Sequence, residues 1–164
     1  AARLHPNDHK RIVRALEVFQ QTGKTISQHN RETRALPLRY DALTLSLAFQ
    51  RREDMWARID RRVDEMMAAG LAEEVRALLD SGVPARCTAM QAIGYKEMAA
   101  AQRGGGDVCA AAEEIKLRSR QYAKRQLTWF RRTEGAKWLF WGPEPDFEAA
   151  CRTSTKYLEE FGLV

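Results

Sequence analysis

The chain has 164 residues, 45% hydrophobic and 30% charged, with 27 Lys+Arg against 22 Asp+Glu and a sequence pI near 9.3. That length allows one ordinary domain with a real core or two small lobes, and no apolar run nears the ~20 residues that span a bilayer, which argues against a membrane protein. Cys87, Cys109 and Cys151 are scattered without a CxxC pair, so they read as reduced cytosolic thiols rather than a disulfide or zinc framework, and no signal-peptide pattern is present.

Pro6-Asn7-Asp8 signals a helix start, with Asn7 or Asp8 accepting from first-turn N–H groups. Ile12, Val13, Leu16 and Phe19 supply its apolar face, and Gly23 a left-handed stop. Ser27 to Leu38 is polar and basic, a connector or a short helix. Leu43 to Phe49 alternates large and small residues and predicts a strand. A helix opened by Glu53 or Asp54 turns Met55, Ile59, Val63, Met66 and Met67 inward and closes at Gly70. Leu71–Asp80 is the next helix, closed by Gly82. Another is predicted from about Thr88 to Arg103, stopped by Gly104-Gly105-Gly106. A basic helix starts near Asp107, Lys137–Trp141 predicts a short strand, and Phe147–Phe161 a terminal helix. Two strands among five or six helices do not make a complete sheet, since a lone strand leaves both edges unpaired. Either they pair with each other or most of the sheet lies in sequence outside this chain.

Lys116 to Arg132, KLRSRQYAKRQLTWFRR, packs seven cations into seventeen residues without an acid. Without those seven, 20 Lys+Arg remain against 22 Asp+Glu. On a helical wheel, Ile115, Ser119, Tyr122, Ala123, Gln126, Trp129 and Phe130 share one broad face, the expected core side. Lys116, Arg120, Lys124 and Arg131 form a second stripe, and Arg118, Arg125 and Arg132 a third. Like charges at this spacing repel by a few tenths of a kcal/mol per pair, a cost offset beside a polyanion. Nucleic acid or phosphate is therefore the favoured partner over a merely solvated face.

Two decoys are set aside. Gly23-Lys24-Thr25 mimics the end of a P-loop, but Val18 stands where the first glycine of that loop belongs, so a helix stop is the reading. His5 and His9 flank Asp8 without further ligands in view, which favours a helix-start loop over a metal site.

The segments HPNDHKRIVRALEVFQQTGKTIS, RI-x-x-RV-x-x-M (Arg58–Met66), GL-x-x-EV (Gly70–Val75), AIGYKE (Ala92–Glu97) and RQYAKRQLTWFRR (Arg120–Arg132) occur in that order. Together they closely resemble the tRNA dimethylallyltransferases, or tRNA isopentenyltransferases, over Leu4 to Arg132. The resemblance implies a predominantly helical α/β fragment: the C-terminal part of a P-loop, kinase-like core plus part of a helical insertion domain. Residues 1–39 would be the returning part of the insertion, and 40–164 the C-terminal part of the core with the basic helix. The family's ATP-type nucleotide-binding P-loop, its catalytic aspartate and its Mg²⁺ ligands belong to an N-terminal half absent from this sequence. The non-Met start fits that reading, and the chain alone is expected to be catalytically silent in the cytoplasm, its other half a necessary partner.

The implied reaction transfers a dimethylallyl group from its diphosphate to the exocyclic amine of the adenosine 3′ of the anticodon. Charge builds on the leaving diphosphate and needs cations to hold it. Arg58 and Arg62, one turn apart, either reach toward that diphosphate or are surface arginines of an amphipathic helix. The family segments that grip the anticodon stem-loop match Lys10, Arg11, Arg14, Gln91, Ala92, Ile93, Gly94, Tyr95, Lys96, Lys124, Arg125, Gln126, Thr128, Trp129 and Arg131. Gly94 is expected to allow close backbone approach, or else to be a tolerated helix glycine; Tyr95 and Trp129 offer stacking planes, and the cations take phosphates. For Trp129 a core role competes, since it shares the wheel face of Tyr122. A non-enzymatic RNA-binding module is the rival class; a small-molecule kinase fragment is disfavoured, because the aromatic-flanked cation helix exceeds what a nucleotide needs.

Overall fold

The computed structural model describes residues 4–37 and 39–163; Ala1–Arg3, the expected connector end at Leu38, and Val164 lie outside them. The chain divides into two units, Ala1–Ala42 and Leu43–Val164.

The first unit is a helical hairpin, α1 (His9–Thr22) and α2 (Ile26–Ala35). Gly23 ends α1 at φ 68°, and the Thr25 hydroxyl caps α2 by accepting from the Gln28 N–H. Lys24 Nζ donates to Glu32 at 2.8 Å, a contact that holds the Glu32 carboxyl below its usual range. The Gly-Lys-Thr triplet is thus the turn of a hairpin. Ser27 to Ala35, left open as connector or helix, is helical because that cap satisfies its first turn.

The second unit begins with β1 (Leu45–Phe49), followed by α3 (Arg52–Ala68) and α4 (Leu71–Asp80). A 3₁₀ turn (Ala89–Gln91) leads into α5 (Tyr95–Gly104), and α6 (Val108–Phe130), β2 (Lys137–Trp141) and α7 (Phe147–Phe161) complete it. The two strands pair with each other, parallel and in step from Leu45↔Lys137 to Phe49↔Trp141. Parallel pairing requires a crossover, and α3 to α6 supply it. Val63, Leu71, Val75, Met90, Met98, Ala99, Ala111 and Ile115 form one buried cluster, drawn from α3, α4, α5, α6 and the 3₁₀ turn.

The helix expected from Thr88 to Arg103 is broken. Ala92 is extended at ψ 145°, and Gly94 takes φ 104°, ψ −61°, a region closed to side chains with a Cβ. Met90, 1% exposed, pins the turn to the core, and Glu97 accepts the Gly94 N–H at 2.9 Å to restart the helix. The tolerated-helix-glycine alternative is therefore wrong: the backbone itself requires Gly94. A Cβ there would meet only Leu71 Cδ2 at 3.9 Å and Met66 Cε at 4.0 Å, so the cost of substitution is conformational, not steric crowding. Gly94→Ala is expected to cost about 1–3 kcal/mol and lower the melting temperature by several degrees in a thermal melt. A raised melting temperature would put Gly94 back in a helix.

Candidate nucleic-acid interface

Asp107 caps α6 by accepting from the Cys109 N–H, and Ala111, Ala112 and Ile115 bury its first half. Anchorage then fades. From Gln121 to Phe130 only Ala123 and Leu127 are half-buried; the rest are exposed, with Tyr122 at 49% and Trp129 at 66%. The wheel face therefore continues past the point where it has anything to pack on, and the expected core role of Tyr122 and Trp129 fails. Trp129 packs edge-on to Phe130, and Arg125 lies 5.6 Å over the Tyr122 ring. These are amphipathic planes open to a stacking partner.

The cations divide at the same place. Lys116 meets Asp64 at 2.6 Å and Glu113 at 2.8 Å, Arg118 meets Glu114 at 2.6 Å, and Arg120 meets Asp60 at 2.8 Å. The two carboxylates hydrogen-bonded to Lys116 push its pKa upward, so it stays charged and committed. Lys124, Arg125, Arg131 and Arg132 make no ion pair among the described residues. The acid-free stretch is thus half neutralised by acids from the preceding turn and from α3, and the available positive charge lies in its second half.

Gln91, Ile93, Lys96, Gln121 and Arg125 line one groove of about 410 Å³, together with Glu97 and the paired Arg118 and Glu114. Gln121, Lys124, Arg125 and Thr128 line a second of about 390 Å³. Arg58, Arg62 and Ile93 line a third, also about 390 Å³, floored by Ile59, Val63, Met66 and Ile115. Ile93 and Arg125 are each shared by two grooves, so the AIGYKE turn, the α3 arginines and the second half of α6 form one band. Arg62 has a weak contact to Glu65 at 3.5 Å, and Arg58 has no ion pair among the described residues. An apolar floor rimmed by two guanidiniums suits an apolar group carrying phosphates. Gln121 escaped the sequence reading, which weighed charge and aromaticity; its position one turn before Arg125 was the available signal.

Other expected site residues are placed differently. Gln91 donates to the Ala85 carbonyl at 3.0 Å, leaving its amide oxygen available. Ala92 is the extended residue before Gly94, and Gln126 is exposed on α6. Thr128 donates to the Lys124 carbonyl at 2.9 Å. Tyr95 is half-buried against the core and its hydroxyl donates to Glu74, so it ties α5 to α4. Lys10, Arg11 and Arg14 belong to the first unit, on exposed positions of α1; Arg11 contacts Asp8 at 3.4 Å and Arg14 contacts Glu17 at 3.2 Å. Among the described residues no three His, Cys, Asp or Glu side chains converge as a metal site, and no helix is long and apolar enough to cross a membrane.

A mostly helical unit with a small parallel sheet is a fold found in solved transferases named for tRNA. A full-length tRNA isopentenylpyrophosphate transferase from Bacillus halodurans superposes with a TM-score of 0.70 at 34% identity, over 98% of this chain and 47% of that one. A eukaryotic dimethylallyltransferase captured acting on tRNA gives 0.73 at 27% identity, over 96% of this chain and 42% of that one. The family described as IPP transferase matches residues 1–133, and the chain belongs to it. The tRNA dimethylallyltransferase of Geobacter sulfurreducens is 48% identical over 139 residues, 85% of this chain and 44% of its own length. That of Bacillus subtilis is 44% identical over 148 residues, 90% of this chain and 46% of its own. The chain spans about half the length of the curated relatives it matches.

The Tyr95–Glu74 contact makes a pH prediction. Donation to Glu74, reinforced by burial, raises the Tyr95 pKa above its usual 10. The folded chain holds that proton more tightly than the unfolded one, so the contact's contribution is complete below pH 10 and is lost as pH climbs through the raised value. Glu74→Gln is expected to bring the Tyr95 titration, followed by NMR of labelled tyrosine, down toward pH 10; an unmoved titration would show that Glu74 does not hold the phenol.

Proposed function

We propose that this chain is the anticodon-gripping and diphosphate-facing part of a tRNA dimethylallyltransferase. In the complete enzyme the exocyclic amine of the adenosine 3′ of the anticodon attacks the allylic carbon of dimethylallyl diphosphate. The carbon–oxygen bond breaks, a nitrogen–carbon bond forms, diphosphate leaves, and the amine gives up a proton to a base outside this chain. The observation that carries the reading is the division of α6: Lys124, Arg125, Arg131 and Arg132, unpaired among the described residues, lie beside an exposed Trp129. Cations next to an open aromatic plane suit a looped-out strand, whose phosphates and unstacked bases both need partners. The target base has to leave its stack before its amine is reachable.

Arg58 and Arg62 face the groove that the turn and α6 share, where guanidiniums would offset the charge growing on the leaving diphosphate. Mg²⁺, held by residues of the N-terminal half, would add to that neutralisation. The nucleotide-binding loop and the catalytic base are placed in that half as well, and the enzyme in the cytoplasm. With dimethylallyl diphosphate and Mg²⁺ supplied, the 164-residue chain is expected to bind an anticodon stem-loop without prenylating it. Turnover above background would overturn this division of labour.

The RNA reading is tested by fluorescence anisotropy of the chain with an anticodon stem-loop across a salt series. Replacing Lys124 and Arg125 by Ala is expected to flatten the log–log salt slope by roughly 1–2 units, since each phosphate contact adds about 0.7–0.9. Trp129→Ala is expected to weaken binding by about 1–3 kcal/mol, the size of one base stack. Its melting temperature should hold, because the ring is 66% exposed. An unchanged slope together with unchanged affinity would favour a solvated face over an RNA interface.

A further inference from the structure

Past Ser119 helix α6 continues with little beneath it, and two charged contacts to α3 fix the direction of that overhang. Arg120 Nε stands 2.8 Å from Asp60 Oδ1, with both atoms shut off from solvent and the N–H angled away from the carboxylate, so the contact is Coulombic. Lys116, whose side chain is only 13% exposed, stands 2.6 Å from Asp64. Asp60 and Asp64 are one turn apart on α3, and Lys116 and Arg120 one turn apart on α6. The pairing crosses, 60 with 120 and 64 with 116, as two antiparallel helices require. The apolar seam below is lean on the α6 side, where two of its three buried residues, Ala111 and Ala112, are alanines. Small side chains interlock weakly, so they leave rotation and sliding poorly specified.

We propose that Asp60 and Asp64 are positioning residues for RNA binding: they lock α6 in one register on α3, so that Lys124 and Arg125 meet the RNA, while Lys116 and Arg120 act as struts and touch no phosphate. The proposal rests on the reading of α6 as an RNA-binding helix. Leverage makes the register matter. From Arg120 to Arg131 the helix runs about 16 Å at 1.5 Å per residue, so a tilt of about 10° at the strut moves its end by about 3 Å, the length of a hydrogen bond. A slip of one turn would set Asp60 against Lys124, the next cation on the same stripe, and remove it from the phosphate-binding set. Asp60 and Asp64 also alternate along α3 with Arg58 and Arg62, which line the diphosphate-facing groove. One helix thereby holds both the groove arginines and the α6 cations in a single frame. The same slip would move Asp64 to Arg120 and leave Lys116 with Glu113 alone, so the shifted register loses one of the contacts that the observed one satisfies.

The sign of one substitution separates positioning from simple electrostatics. Asp60→Asn removes a negative charge beside a polyanion site, so Coulomb attraction alone would tighten RNA binding. A positioning role requires the reverse: a loss of at least about threefold in stem-loop affinity, measured below the variant's melting temperature. The second arm joins Asp60→Arg to Arg120→Asp, which restores the pair with the net charge unchanged. Its affinity is expected to return to within about twofold of the native chain; if Asp60→Asn does not fold, this exchange decides alone. Tighter binding by Asp60→Asn, or an exchange variant that folds and stays weak because Arg120 itself contacts RNA, would overturn the proposal. A native chain that binds no stem-loop would instead remove the RNA reading, and this proposal with it.

Discussion

A long helix held over only half its length is the constraint on which the interface depends. Ile115, 2% exposed, is the last fully buried residue of α6, and it packs into the cluster of Val63, Met98 and Ala99. Hydrophobic burial supplies that attachment, and two carboxylates of α3 give it a direction. Beyond Ala123 the charged side chains of α6 make no ion pair among the described residues, and only Leu127 is half-buried. A helix that buried its whole apolar stripe would hide Tyr122 and Trp129, and one with no anchor would hold its cations in no fixed place.

The broken helix at Gly94 solves a complementary problem. A continuous helix from Thr88 would carry Gln91, Ile93 and Lys96 around its circumference. The 3₁₀ turn, the extended Ala92 and the positive φ of Gly94 instead put Gln91, Ile93 and Lys96 on one groove with Arg125. Met90 beneath the turn and Glu97 on the Gly94 N–H hold it shut. Burial of Met90 and the hydrogen-bonded cap fix the backbone of this turn from within the chain itself.

Charge is distributed between the two units unevenly. Residues 1–42 hold 8 Lys+Arg against 4 Asp+Glu, and the remainder 19 against 18, so most of the net +5 belongs to the first unit. The second unit is nearly neutral, yet it presents a cation band because the acids near α6, Asp60, Asp64, Glu113 and Glu114, are met by Lys116, Arg118 and Arg120 and leave the later α6 cations unpaired among the described residues. Local segregation, not net charge, creates an anion site, since screening at physiological salt limits each charge to about 8 Å of influence.

The sequence by itself was enough for the family, the predominantly helical α/β class and most element boundaries. Glycine stops at Gly23, Gly70 and Gly82, together with the apolar spacing of Val63 and Val75, are local signals that need no distant partner. The cation run Lys116–Arg132 was equally plain as composition. Which of those cations remain available was decided only in three dimensions, because Asp60 and Asp64 lie more than fifty residues away along the chain. The same holds for Trp129, where periodicity marked a face and only packing could say where the core ends beneath it. Gly94 is the third case: a glycine in a helix-compatible run is ambiguous until the buried Met90 and the Glu97 carboxylate fix its φ. Propensity and periodicity act over one or two turns, whereas ion pairing, burial and backbone strain depend on residues that only the fold brings together.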